Sequence, residues 1–188
     1  MTADGIVVEV GAPWLVVLIG AAGAGKTTLA RRLFAPDEVI SSDELRAAVS
    51  GDAADQRATR PAFAILHREL GNRLAAGRLV VVDATSVERG ARRSLLRLAA
   101  AARVPATAVV LALPADLVHA RNAARSDRPV PTEVVERHLA RVAGLLGKGQ
   151  AFAVDRLRGE GFASVVLVRS DEEVARLRLV RNQLVSPR

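Results

Sequence analysis

Trp14-Leu15-Val16-Val17-Leu18-Ile19 runs without a charge into Gly20-Ala21-Ala22-Gly23-Ala24-Gly25-Lys26-Thr27, and a segment of helical character follows from Thr28. An apolar run of that length is expected of a strand buried on both faces. The eight residues after it fit G-x-x-x-x-G-K-[ST] in the strand-then-helix context that the motif requires. Glycines allow backbone angles other residues avoid, so successive N–H groups turn inward and, with the helix N-terminus, cradle phosphate oxygens. ATP or another nucleoside triphosphate is therefore the expected ligand. Its expected contacts are Gly20, Ala22, Gly23, Ala24, Gly25, Lys26, Thr27 and Thr28. Lys26 should reach the β- and γ-phosphates, and Thr27 should place its hydroxyl on Mg2+ or Mn2+.

Further apolar runs recur at Val39-Ile40, Leu79-Val80-Val81-Val82, Ala108 to Ala112 and Val165 to Val168. Longer segments of helical period separate them. This alternation predicts an α/β protein of the P-loop NTPase/kinase type, with a parallel five-stranded sheet flanked by helices. Ile6-Val7-Val8 is expected to add an edge strand. Helices are expected from Pro61 to near Gly77, from Arg89 to Arg103, from Pro114 to Arg125, along the stripe Val135, Leu139, Val142 and Leu146, and from Asp171 to Leu184. The polar stretch Ser50 to Arg60 and the proline-bounded turn Ser126 to Pro131 break the rhythm and are expected to be flexible. One domain over residues 1–188 is expected, with a helical lid over 114–131.

Lys and Arg number 27 against 20 Asp and Glu, a formal charge of +7. That balance suits a polyanionic partner, or a solvated arginine-rich surface. The chain has no cysteine, which excludes disulfides and thiolate metal sites and suits a reducing, cytoplasmic location. His67, His119 and His138 are too scattered for a metal site and read as ordinary helix residues. Pro13 and several glycines interrupt the apolar stretch from Val10 to Gly25, so no membrane association is expected. With four Phe, one Trp and no Tyr, few rings are left to stack on bases.

A cradle alone does not distinguish a switch from a kinase, so the acceptor chemistry must lie elsewhere. Val80-Val81-Val82-Asp83 ends an apolar strand in a carboxylate, which either holds the metal or its water with Thr27, or caps the next turn. Ser41-Ser42-Asp43-Glu44-Leu45-Arg46 places Asp43 at the carboxyl end of a strand, where open α/β sheets bind substrates. Asp43 can take the proton of an attacking hydroxyl while Arg46, three residues on, grips an acceptor phosphate or fixes the carboxylate. The competing reading is a helix cap with a surface ion pair. Arg121, Arg125 and Arg128 fall at i, i+4 and i+7, one face of a helix continuing to Arg128, and suit a flap closing on the triphosphate. Lys26, Asp43, Arg46, Arg121 and Arg125 are the catalytic candidates.

Gly20 to Thr28, Val39 to Arg46, Leu74 to Thr85, Leu113-Pro114, Arg121-Asn122-Ala123-Ala124-Arg125-Ser126-Asp127-Arg128 and Gly159 to Phe162 occur in an order that resembles the kinase module of the bacterial polynucleotide kinase-phosphatase family. The resemblance implies transfer of the γ-phosphate to 5′-hydroxyl RNA or DNA ends in RNA repair. It also implies that Asp43 activates the 5′-hydroxyl, Arg46 contacts the acceptor, and Arg121, Arg125 and Arg128 serve the lid. Ser86 stands where that family commonly shows Asn, and Ala24 where it commonly shows Ser. The family's phosphatase and ligase modules are not part of this sequence. A P-loop kinase for a small-molecule hydroxyl and a non-catalytic nucleotide-binding module are the alternatives.

Overall fold

The computed structural model describes residues 6–51, 57, 59–125 and 129–182. Five parallel strands form the main sheet: β2 (Trp14–Gly20), β3 (Val39–Ser41), β4 (Leu79–Asp83), β5 (Ala106–Leu111) and β6 (Ser164–Val168), in the order β3-β4-β2-β5-β6. The α/β class, the parallel five-stranded sheet and its flanking helices are as the sequence predicts. Strands β2, β4 and β5 bury nearly every residue, as strands covered on both faces must.

Helices α1 (Lys26–Leu33) and α5 (Ala115–Ala123) lie on one face, where Leu29, Phe34 and Val118 pack on Val16, Leu18 and Val109. Helices α2 (Ser42–Ser50), α3 (Thr59–Ala75), α4 (Arg89–Ala101) and α7 (Gln150–Glu160) cover the other, where Leu66, Leu70, Leu95 and Leu157 meet Val17, Ile19 and Val80. Helix α6 (Thr132–Leu146) joins both cores: Val135 and Leu139 belong to the first, Val142 and Leu145 to the second. It therefore crosses over the carboxyl end of the sheet, from one face to the other.

Four sequence expectations need correction. The Ile6-Val7-Val8 segment is not an edge of the main sheet: β1 (Val7–Val10) pairs in parallel with β7 (Arg178–Arg181) in a separate two-stranded sheet. The C-terminal helix α8 (Asp171–Arg176) accordingly stops short of Leu184, since Leu177 turns into the core and the amide of Arg178 donates to Ile6 O at 2.9 Å. Strand pairing thus outcompetes a helix that the residue period alone suggested. Helix α7 was not anticipated, because it carries only two buried residues, Ala153 and Leu157, and its apolar stripe is faint. The helix expected to continue to Arg128 ends at Ala123, so Arg121 and Arg125 do not share one continuous helical face. Most of the polar stretch Ser50 to Arg60, residues 52–56 and 58, and Ser126, Asp127 and Arg128 of the expected lid lie outside the described residues.

Candidate phosphate-binding site

Register brings the site together. Leu15 of β2 pairs with Val80 of β4, and Ser41 of β3 with Asp83 of β4, so Asp83 and Ser41 stand side by side at the carboxyl end of the sheet, and Gly20 leaves it two residues further on, its amide donating to Thr85 O at 3.1 Å. The glycine loop then turns from β2 into α1. Gly23 and Gly25 have φ of 85° and 89°, the left-handed region that favours glycine. At Gly23 a Cβ would also lie 2.8 Å from Val118 O and 3.2 Å from Asn122 Cβ, so the loop is seated directly on α5. Gly25 caps the start of α1 and leaves the helix N-terminal amides facing the loop.

Lys26 is buried and its Nζ donates to Gly20 O at 3.0 Å and Ala21 O at 2.8 Å, which folds the ammonium back across the loop. Burial lowers its pKa to about 8, while Asp83 and Asp43 pull it upward and Arg125 pushes it down. The charges of Asp43 and Arg125 are thus felt at the lysine. Thr27 Oγ1 donates to Asp83 Oδ2 at 2.7 Å. Burial raises the Asp83 pKa against that hydrogen bond and Lys26, and Asp43 and Glu44 add to the rise. Thr28 follows on the exposed first turn of α1.

Asp43 stands in the first turn of α2, whose N-terminus is capped by Ser41 accepting from the amide of Glu44 at 3.4 Å. Ser41 rather than Asp43 is the cap. Arg46 Nη2 donates to Asp43 Oδ1; the arginine is largely buried and the carboxylate half-exposed. Arg121 Nη1 donates to Ala24 O at 3.3 Å and Nη2 pairs with Asp171, laying the guanidinium on the cradle. Ala22, Ala24 and Gly25 line the same loop. Among the catalytic candidates, Lys26, Asp43, Arg46, Arg121 and Arg125 gather at one end of the sheet; Arg128 lies outside the described residues.

Two residues of this site escaped sequence reasoning. Asn122 is buried; its Nδ2 donates to Val130 O at 2.7 Å and its Oδ1 accepts from Val130 N at 3.0 Å, which pins the turn after α5 beside the loop. Its place between Arg121 and Arg125 was the available signal. His138 of α6 accepts from the amide of Ala22 through Nδ1 at 3.4 Å, a contact across 116 residues that no local pattern announces.

A metal at Thr27 and Asp83 fits the residues present. Two hard oxygen donors meet there, and both line a cavity of about 200 Å3 shared with Ser41 and Glu44 on one side and Phe34 and Val39 on the other. Among the described residues no group of three or more His, Cys, Asp or Glu could hold a metal ion. No described helix is long and apolar enough to cross a membrane.

Residues 15–145 match the family AAA_33, described as an AAA domain. The chain belongs to this family. Its fold is that of P-loop kinase-like proteins. Kti12 from Chaetomium thermophilum in complex with ADP-AlF3 superposes with a TM-score of 0.61 at 19% identity, over 86% of this chain and 93% of that one. A gluconokinase from Sinorhizobium meliloti 1021 superposes at 0.52 with 20% identity over 87% and 86%. A chain of the Pnkp1/Rnl/Hen1 RNA repair complex superposes at 0.61 with 14% identity over 95% and 82%. No curated protein matches the sequence.

Proposed function

We propose that the protein is a nucleoside-triphosphate-dependent phosphotransferase whose acceptor is the 5′-hydroxyl end of RNA or DNA. The observation carrying this reading is that Asp43, held by Arg46, lies near enough to Lys26 and Asp83 for its charge to act on both. On this reading the carboxylate faces the terminal phosphorus of a triphosphate bound in the glycine loop. The loop amides and Lys26 bind the phosphates, and Arg121 and Arg125 neutralise charge developing on the transferred group and the leaving β-phosphate. Asp43 orients the acceptor hydroxyl and takes its proton as the new O–P bond forms and the bond from the γ-phosphorus to the β-bridging oxygen breaks, releasing nucleoside diphosphate. Thr27 and Asp83 would hold Mg2+, which supplies charge neutralisation on the β- and γ-oxygens when bound.

The polynucleotide end is supported by the charge of +7, by the Asp43–Arg46 spacing and by the likeness to a chain of an RNA repair complex. A small-molecule hydroxyl is the second reading, favoured by the scarcity of aromatic rings: the one indole, Trp14, donates to Thr107 Oγ1 at 2.9 Å at the far end of β2. Labelled ATP, Mg2+ and a 5′-hydroxyl oligonucleotide separate them. Transfer to the oligonucleotide that falls steeply with salt supports the first reading; salt-insensitive transfer to a polyol alone supports the second. Asp43→Ala is expected to bind nucleotide and lose turnover, and Lys26→Ala to lose both. A protein that binds nucleotide yet transfers equally well without Asp43 overturns the proposal.

A further inference from the structure

Helix α6 passes over the carboxyl ends of the strands, and the turn of it between the buried Val135 and Val142 carries His138. The imidazole reaches down to the third position of the phosphate loop, where Nδ1 accepts from the Ala22 amide at 3.4 Å. That amide belongs to the phosphate loop, and its bond to the imidazole fixes the loop backbone at this position, leaving the neighbouring N–H groups to face the phosphates. The same helix follows the turn that Asn122 pins through Val130. One histidine thus joins the cradle to the helix that follows Val130.

We propose that His138 is a positioning residue for nucleotide: as the neutral imidazole it holds the Ala22 amide in place, keeping the front of the loop ordered for the terminal phosphate. This rests on the reading of the loop as a triphosphate site, not on the identity of the acceptor. Nδ1 accepts only when unprotonated, so the ring proton belongs on Nε2. Once Nδ1 gains a proton, two N–H groups oppose each other and the contact is lost. The charged groups acting on the ring are Lys26 from α1, Glu88 from the segment before α4, and Arg137 and Arg141 from α6 itself. Burial, then Lys26 and Arg137, disfavour the charged ring, Glu88 favours it and Arg141 opposes it, so the acceptor form prevails at neutral pH.

The test is nucleotide affinity of the full chain, read by displacement of a fluorescent ATP analogue in Mg2+ without any acceptor, between about pH 5 and pH 8. His138→Leu is expected to weaken binding about fivefold at neutral pH, the loss of one ordinary hydrogen bond. His138→Asn puts a non-titrating acceptor oxygen near the place of Nδ1. It is expected to bind within about twofold of wild type at neutral pH and to lose the part of the acid-side decline that His138 causes. In turnover the His138→Leu defect is expected in KM for nucleotide rather than in KM for acceptor. If His138→Leu binds like wild type, or if His138→Asn is as weak as His138→Leu, the proposal fails. Should His138→Leu not fold, the pH profile of His138→Asn decides, and a profile superimposable on wild type is the refuting result. Wild-type protein that binds nucleotide but phosphorylates no hydroxyl would defeat the kinase reading while leaving this one standing.

Discussion

Replacing Gly23 by alanine adds one methyl group at the point where the phosphate loop meets α5. Two separable effects follow. The residue has φ of 85°, a conformation that costs an L-residue about 1–2 kcal/mol. The new Cβ would also stand 2.8 Å from the backbone oxygen of Val118 and 3.2 Å from Asn122 Cβ, and a backbone oxygen within a helix cannot rotate away. Overpacking of that kind costs about 1–3 kcal/mol, so the sum is roughly 2–5 kcal/mol, or a fall in Tm of about 4–20 °C for a chain of this length. Gly77→Ala is the control: its φ is 73°, but an added Cβ meets nothing within 4 Å. It is expected to cost only the backbone part, about 1–2 kcal/mol. Thermal unfolding by circular dichroism, with and without ATP and Mg2+, gives both numbers. Gly23→Ala should also narrow the stabilisation by nucleotide, because the loop can relieve the clash only by moving out of its phosphate-binding shape. If Gly23→Ala and Gly77→Ala melt together and respond alike to nucleotide, the seating of the loop on α5 is wrong.

Arg92 is buried in a bidentate pair with Glu160, at 2.7 Å for both bonds, and also donates to Ser86 O and Val87 O. Arg92→Met strands a buried carboxylate and is expected to cost about 3–5 kcal/mol in urea unfolding, while Arg92→Met with Glu160→Met recovers part of the loss. Arg103 closes α4 with a Schellman turn, Val104 N to Ala99 O at 2.8 Å and Arg103 N to Ala100 O at 3.0 Å, yet holds φ of 56° where glycine is favoured. Arg103→Gly is therefore expected to raise Tm by about 2–4 °C, a gain near 1 kcal/mol. Glu38 binds Arg181 through both oxygens, at 2.6 and 2.8 Å, and this pairing holds its carboxyl below the ordinary value against the effect of burial. A depressed folded-state pKa contributes stability above the unfolded value of 4.5 that disappears as pH falls through the folded one. Glu38→Gln should accordingly cost up to about 1 kcal/mol at pH 7, Arg181 being half-exposed, and progressively less as pH falls below 4.5 in pH-dependent melts.

Proximity along the chain separates what was legible in the residues from what was not. The buried runs Trp14 to Ile19 and Leu79 to Val82 announce strands because a fully covered strand tolerates no polar residue. The glycine loop is legible because its chemistry depends on backbone freedom at fixed spacing within eight residues, and Asp43 with Arg46 because three residues make one helical turn. By contrast, β7 was read as helix because the period of Asp171 to Leu184 cannot show that Val7–Val10 lies waiting for a partner. The arginine face broke at Ala123 for a similar reason, since the Asn122 side chain fastens the chain to Val130 instead of letting the helix run on.

The amino-acid sequence by itself announced the sheet and the glycine loop and singled out Lys26, Thr27, Asp43 and Asp83 as candidate groups, all consequences of local pattern. Tertiary structure alone decided that Asp83 of β4 meets Thr27, that Arg121 lies on Ala24, and that His138 reaches Ala22. Those contacts join residues 56, 97 and 116 positions apart. Strand order and helix crossing create them, and neither propensity nor spacing along a chain encodes which distant backbone amide a side chain will meet.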